Sequence, residues 1–379
     1  MHKNILISGG AGFIGSNLAL KLIPQGYNVT VLDNLDKQIH GENPELTSPL
    51  YKSIKDKVRL IKGSVLSRDA WSRSIVGQDV IVHLAAKTGT GQSMYEIEDY
   101  SNVNIGGTAL MLDVLANTKN QIRKVIIASS RAIYGEGKYI SEEFGAVYPD
   151  HRVDEDLKKG DFEVKYEGCK KPLLLAATDE DSKIHPSSVY GITKQVQEQL
   201  VMTLTSALGI NGLAFRYQNV YGPGQSLINP YTGILAIFSS VIRNNGSLNI
   251  FEDGNESRDF VYIDDVINAT ILGLEQNEGN GQVFNVGCGM PITVKTVVNE
   301  LLRCFNKEIP VQITGNYRLG DIRHNYADIS KISKLLGYRP TVDFKTGMEL
   351  FVAWVKKQDQ SSETYNHSLD ELKERKLLK

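Results

Sequence analysis

The chain has 379 residues, 41% of them hydrophobic and 23% charged, with a formal net charge of -2 at pH 7. This ordinary globular composition provides enough apolar material for a large core, arranged as two domains or as one with a substantial added lobe. So small a net charge produces no strong global field; neither nucleic acid nor an anionic membrane is indicated as a partner, and any anion site has to be local.

Cys169, Cys288 and Cys304 are far apart and never form a CxxC pair, so neither a disulfide framework nor a four-sulfur metal site is expected, and a reducing compartment fits. The first apolar run, Ile5-Leu6-Ile7, is too short for a signal-peptide core. No stretch has the apolar length that crosses a bilayer, and a cytoplasmic location is expected.

In chain order, short apolar runs at Asn4-Ser8, Val29-Asp33, Val58-Lys62, Val80-Leu84 and Val125-Ser129 alternate with stretches of helical pattern. That alternation predicts an α/β fold, a Rossmann-type doubly wound parallel sheet covered by helices. A helix is expected from Tyr190 to about Leu208, because Val196, Leu200, Leu204 and Leu208 recur every four positions and would form one buried stripe, and a further strand follows at Ile210-Arg216. The polar segment of about 136–186 lacks either periodicity and reads as an insertion. Beyond Tyr221, turn-rich stretches such as Tyr221-Gly222-Pro223-Gly224 suggest a smaller C-terminal substrate-binding lobe. The expected division is therefore 1–215 for dinucleotide binding, 216–356 mainly for the lobe with some chain returning to the first domain, and 357–379 as a polar tail. Ser368-Leu369-Asp370-Glu371 is a capping-box pattern and predicts a short helix in that tail.

Gly9-Gly10-Ala11-Gly12-Phe13-Ile14-Gly15 directly follows the first strand and leads into a helical pattern. Gly9 permits the tight turn, Gly12 lets a pyrophosphate approach the backbone, and Gly15 lets the helix pack close to the sheet, with the anion held at the helix N-terminus. The second strand ends at Asp33, whose carboxylate suits the two hydroxyls of an adenosine ribose and would repel a 2′-phosphate. No arginine lies beside it, so NAD is expected as cofactor rather than NADP. Tyr190 and Lys194 are four residues apart on one face at the start of a helix. A free tyrosine titrates near about 10, so service as a base near neutral pH needs about 4 kcal/mol of preference for the phenolate. A nearby lysine and a positive nicotinamide ring are the candidate sources.

Taken together, the glycine motif, Asp33 and the Tyr190/Lys194 pair resemble the extended short-chain dehydrogenase/reductase family, over nearly the whole chain. His83-Leu84-Ala85-Ala86 and the segment Asn104-Ile105-Gly106-Gly107-Thr108 agree with it, and Val125 to Gly135 resembles the strand that carries the family's catalytic serine. The resemblance implies an NAD-dependent enzyme with Tyr190, Lys194 and Ser130 as catalytic residues. It implies cofactor contacts from Gly9, Gly12, Phe13, Ile14, Gly15, Asp33, Asn34, Ser64, Val65, Leu84, Ala85, Ala86, Asn104 and Ser129. Ser64 stands where the family usually has an aspartate that meets adenine. Nucleotide-sugar dehydratases carry Asp-Glu after the catalytic threonine, where this chain has Arg131 and Ala132; redox at C4 followed by epimerisation is what remains.

A nucleotide-diphosphate sugar is the implied partner. Asn219, Arg258, Arg318 and Asp321 resemble positions around the diphosphate, and two guanidiniums suit two phosphates. Thr88, Gly89, Ser130 and Arg131 are placed at the sugar. Strings such as Thr88-Gly89-Thr90-Gly91-Gln92-Ser93-Met94-Tyr95, Asn229-Pro230-Tyr231-Thr232-Gly233 and Gly320-Asp321-Ile322-Arg323-His324 resemble the dTDP-L-rhamnose 4-epimerase branch, which makes dTDP-6-deoxy-L-talose for surface polysaccharides. Relatives in that branch often carry paired cysteines in the insertion; here only Cys169 remains, so no zinc is expected. The cationic Arg131 leaves a UDP-uronate epimerase or decarboxylase, or another UDP-sugar 4-epimerase, as the alternative. A non-catalytic NAD sensor is the reading furthest from these. The resemblance also implies a homodimer, formed through the helices after Asn104 and Tyr190.

Overall fold

Seven parallel strands carry the molecule. The computed structural model describes residues 3–227, 229, 231, 233–358, 374, 375 and 377–379, so the tail helix expected from Ser368-Leu369-Asp370-Glu371 lies outside the described residues. The strands are β1 (Asn4–Ser8), β2 (Asn28–Asp33), β3 (Arg59–Lys62), β4 (Val80–His83), β5 (Lys124–Ser130), β6 (Asn211–Tyr217) and β7 (Gln282–Val286). They run in the order β7-β6-β5-β4-β1-β2-β3, with every neighbouring pair parallel. The first six lie within one residue or so of the expected runs. The order reverses direction between β1 and β4, which opens a crevice at the C-terminal strand ends.

Burial on both faces explains why these strands read as unbroken apolar runs rather than alternating ones. One face packs α1 (Phe13–Leu22) with the core of the lobe, and the other packs α2 (Gly107–Asn117) and Trp71. Strand β7 belongs to the second half of the sequence yet pairs with β6, so the chain returns to the sheet after building most of the lobe.

Helix α3 (Val189–Ala207) forms where its periodicity predicts, but the expected buried stripe is not the one that packs. Its covered face is Gly191, Thr193, Lys194, Gln197, Glu198, Val201 and Thr205. Val196, Leu200 and Leu204 are half-buried and Leu208 is exposed. The sheet-facing side accepts polar residues because they bond one another in a continuous chain. The Lys194 ammonium donates to Gln197 Oε1 (2.8 Å), and Gln197 Nε2 donates to Thr108 Oγ1 (2.7 Å). That hydroxyl lies 3.0 Å from His83 Nε2, and His83 Nδ1 lies 2.5 Å from Ser8 Oγ.

The insertion is folded, although its sequence shows no usable period. Tyr139–Ser141 pairs antiparallel with Gly145–Val147 and Leu174–Leu175, and a short helix spans Asp154–Lys158. Two- and three-residue strands are too short to leave a pattern. Their stability comes instead from a small cluster of Tyr139, Val147 and Val164 and from ion pairs to the lobe. Arg152 reaches out of the insertion to both carboxylate oxygens of Glu252 (2.8 and 2.9 Å) and to Asp321 O (3.0 Å).

His83 is fully buried, and burial together with the charge of Lys194 pulls its pKa down to about 3. In the unfolded chain it titrates near about 6.5. Below that value the unfolded state takes up a proton that the folded state refuses, so the His83 contribution to stability is complete above about pH 6.5 and is lost progressively as pH falls. Chemical denaturation between pH 7 and 4 should show this as a slope of up to about 1.4 kcal/mol per pH unit from one residue. In His83→Asn that part of the slope should vanish.

Candidate active site

Beneath the glycine loop lies a cavity of about 370 Å³ at the crevice. Gly9, at φ 70°, turns the chain out of β1, and its N–H donates to Leu32 O (2.8 Å). A Cβ at Gly15 would stand 2.5 Å from Gly10 Cα and Gly9 O, so α1 presses directly on the turn. At Gly12 an added Cβ would meet only Gly9 O, at 3.3 Å, which leaves its cavity side open. No side chain caps α1, so its first N–H groups are left for an anion. Asp33 both shapes and lines the site: its Oδ2 accepts from Ala11 N (2.9 Å), and its Oδ1 accepts from Leu35 N (2.8 Å).

The remaining wall is formed by Phe13, Ile14, Asn34, Ser64, Val65, Leu84, Ala85, Ala86, Thr88 and Ser129, all expected at the site, together with Ser130, Tyr190 and Lys194. Buried polar atoms without a partner face this region: Ser129 Oγ, Gln225 Oε1 and both ends of the Gln218 amide. An open glycine cradle, an uncapped helix and a set of orphaned donors and acceptors fit a dinucleotide. Asn104 is the exception among the expected cofactor residues. It sits fully buried in a π-helical turn behind the wall, where its Oδ1 accepts from Lys87 N (2.8 Å) and its Nδ2 donates to Thr193 Oγ1 (2.9 Å).

Ser130 ends β5, and Tyr190 opens α3. Ser188 caps that helix by accepting from Gly191 N (3.1 Å), and Tyr190 N donates to Ser93 Oγ (3.0 Å). A side chain at Gly191 would meet Ala132 O at 2.6 Å, so the helix start lies against the turn that follows Ser130. This close approach brings the Ser130 side chain beside the Tyr190 phenol, where it favours the phenolate. Burial pulls the Lys194 ammonium down to about 7, with Glu198 acting in the opposite sense. Burial pushes the Tyr190 phenol above its ordinary value, and the Ser130 bond and the charge of Arg131 oppose it. The charge of Arg131 favours the phenolate, and the Lys194 ammonium donates to Gln197.

Arg131, Asn219, Arg258, Arg318 and Asp321 form a second group beyond the cavity. Arg131 Nε donates to Asn219 Oδ1 (3.2 Å), and Arg258 Nη2 donates to Asp321 Oδ1 (2.9 Å). Arg318 lies over the Phe251 ring, 5.0 Å from its centroid. Burial pushes the Asp321 carboxyl up, but Arg258, Arg318, Arg131 and Arg152 together hold it below the ordinary range. Burial, reinforced by Arg258, pulls Arg131 down to about 10. Arg152 is matched by Glu252 and lies 3.4 Å from the buried Glu136, which also acts on Arg131, while Arg131, Arg258 and Arg318 all face Asp321. Gly89, at φ 113°, lies close to Tyr100 and Tyr231.

The NAD dependent epimerase/dehydratase family matches residues 5–152 and 167–287. The chain belongs to this family. Its cofactor is NAD, and the fold places it among the nucleotide-sugar epimerases and dehydratases. A dTDP-L-rhamnose 4-epimerase of Burkholderia thailandensis is 34% identical over 93% of this chain and 95% of its own length. Among solved structures, UDP-glucose 4-epimerase of Thermotoga maritima with UDP-glucose is 29% identical with a TM-score of 0.75, covering 93% of this chain and 99% of that one. UDP-glucuronic acid 4-epimerase of Bacillus cereus, with UDP-glucuronic acid and NAD, is 27% identical with a TM-score of 0.76 and the same coverage.

Some lining residues carry no local signal. Gln38 Nε2 donates to Gln92 Oε1 (3.0 Å) and Asn229 Oδ1 (3.1 Å), tying three distant segments across the cavity rim. Gln218, next to Asn219, lines the same cavity. Among the described residues no group of three or more His, Cys, Asp or Glu could hold a metal ion.

Burial pushes the Asp33 carboxyl up, while the Leu35 and Ala11 amides and His40 favour its charged form; with that carboxylate at the expected ribose position, NADP should bind at least about tenfold more weakly than NAD, since its 2′-phosphate would meet a like charge. Titration calorimetry of both dinucleotides checks this, and equal affinities would refute the assignment of Asp33.

Proposed function

We propose that this enzyme is a nucleotide-sugar 4-epimerase that interconverts dTDP-L-rhamnose and dTDP-6-deoxy-L-talose, supplying surface polysaccharide synthesis. The observation that carries the reading is the juxtaposition of Ser130 and Tyr190 with the three guanidiniums of Arg131, Arg258 and Arg318. Guanidiniums suit the phosphate oxygens of a diphosphate linker, which Arg258 and Arg318 would grip, with Asn219 alongside. Similarity to the Burkholderia enzyme supports the dTDP sugar.

Bound NAD supplies a reversible hydride acceptor beside the sugar C4. Ser130 orients the C4 oxygen, and Tyr190 takes its proton as C4 is oxidised to the ketone. The ketone presents its other face, C4 is reduced there, and Tyr190 returns the proton, so the net change is inversion without net redox. Arg131 and Ala132 offer no acid and base for eliminating water, which disfavours dehydration. A second reading has one specific support: the Arg131 guanidinium acts on Tyr190 and would suit a sugar carboxylate, as in a UDP-uronate epimerase or decarboxylase.

Residues 1–215 then form the NAD-binding part, 216–356 mainly the substrate lobe, and 357–379 the tail. The three free cysteines fit a reducing, cytoplasmic setting, and no described helix is long and apolar enough to cross a membrane. The unburied stripe of α3, from Ile192 (49% exposed) through Val196, Leu200 and Leu204, with half-buried Leu110 on α2, is the face through which two copies would pair. Light scattering should therefore report a dimer, and Leu204→Glu should shift it to the monomer. A parent protein that is already monomeric would contradict this.

Proton NMR of the purified enzyme with dTDP-L-rhamnose, UDP-glucose and UDP-glucuronate, without added NADH, should show inversion at C4 of the dTDP sugar. Tyr190→Phe should lose at least about a thousandfold in kcat while binding NAD as the parent does. Conversion of a UDP sugar alone would replace the substrate, and full activity in Tyr190→Phe would remove the catalytic assignment.

A further inference from the structure

The final described residues of the chain return to the substrate side and join its loops. Tyr317 N donates to Lys379 O (2.9 Å), Lys379 N to Tyr317 O (3.0 Å) and Leu319 N to Leu377 O (3.1 Å), which sets Leu378 opposite Arg318 in an antiparallel bridge. Leu378 is buried in a cluster with Leu377, Tyr95 and Phe251. Phe251 is the ring on which the Arg318 guanidinium lies. The backbone of Arg318 and the platform beneath its side chain therefore rest on the same tail residues. Arg318 Nε is buried without a hydrogen-bond partner, so packing rather than a polar contact at that atom holds it.

Two further contacts carry the tail past this loop. The Arg375 guanidinium stacks 4.1 Å from the centroid of Tyr95, which closes the short helical turn Thr90–Ser93. Ser93 of that turn receives the Tyr190 N–H. On the other side, Lys379 Nζ donates to Asp154 Oδ2 (2.7 Å) in the insertion, while Asp154 Oδ1 accepts from the Tyr317 hydroxyl (2.7 Å). One short piece of chain thus ties together the insertion, the Arg318 loop and the loop that abuts the catalytic helix.

We infer that Arg375, Leu377, Leu378 and Lys379 are positioning residues for nucleotide-sugar binding, which act by presenting Arg318 to the substrate diphosphate. The inference rests on the proposed role of Arg318 and adds that this arginine is functional only while the tail is docked. Its consequence is a division of labour. Loss of the tail contacts weakens binding of the nucleotide diphosphate and leaves NAD binding and the chemical step as they were.

The test uses full-length, NAD-loaded protein with Leu378→Asp, Arg375→Ala, Arg318→Ala and the Leu378→Asp/Arg318→Ala pair. Titration with dTDP and with UDP as probes gives Kd, epimerisation gives KM and kcat, and thermal melting gives Tm. Leu378→Asp should raise the nucleotide Kd and the KM about tenfold, with kcat within about twofold and Tm and NAD affinity at the parent values. The pair should bind no worse than Arg318→Ala alone, because both changes remove one interaction. Additive losses, or an unchanged Kd in Leu378→Asp where Arg318→Ala is impaired, overturn the inference while sparing the diphosphate role of Arg318. An unchanged Kd in Arg318→Ala removes that role and the inference with it. Should Leu378→Asp misfold, Arg375→Ala carries the same expectation in milder form, and a fall in its Tm and kcat together would mark the tail as structural only.

Discussion

A buried ammonium must have partners, and the site is organised around that constraint. Lys194 enters the interior beside a parallel sheet where water cannot solvate it. An unpaired charge there would be very costly, so it is tied through Gln197, Thr108 and His83 to Ser8 at the end of β1. This chain of polar groups locks α3 in rotation and height against the sheet. Once α3 is locked, Tyr190 has little choice of position, and the approach of Gly191 to Ala132 brings its phenol to Ser130. The polar column displaces the leucine stripe from the sheet, which leaves an apolar face on the outside of the same helix. Catalytic placement and the proposed pairing of two copies are thus two results of one packing decision.

The substrate side is built on the opposite electrostatic principle. Near Lys194 the charge is limited to what its partners can satisfy. Around Asp321 several guanidiniums converge, and Arg131 is held near Arg258 despite the repulsion between them. Such an arrangement carries a standing cost that an incoming anion offsets, and it strengthens the attraction for a charge of matching magnitude. The insertion contributes through Arg152, which neutralises Glu252 and braces Asp321 O, so that Asp321 stays available to Arg258. A segment with no regular pattern in its sequence therefore sets the shape of the anion site.

Much of the cofactor side could be read locally. The Gly9–Gly15 loop, its strand and its helix are contiguous, and the strain that each glycine relieves is a backbone property written at that position. Asp33 was readable for the same reason, since it closes the very next strand. Gln38, Gln92 and Asn229 were not, because each is an ordinary polar residue until the fold brings the three together. That Asn104 lies behind the wall was not legible either, since a side chain behind a wall and one in front of it look alike in sequence.

The sequence by itself determined the parallel sheet, the dinucleotide loop, the candidate trio of Ser130, Tyr190 and Lys194, and the family to which the chain belongs. Each rests on short-range periodicity or on spacing within a single turn. Tertiary structure alone decided which face of α3 is buried, that Arg131 comes close enough to act on the phenol, that the insertion is folded, and that the tail docks beside Arg318. Those outcomes depend on desolvation and on contacts between residues far apart in the chain, and neither leaves a repeating mark in the order of amino acids.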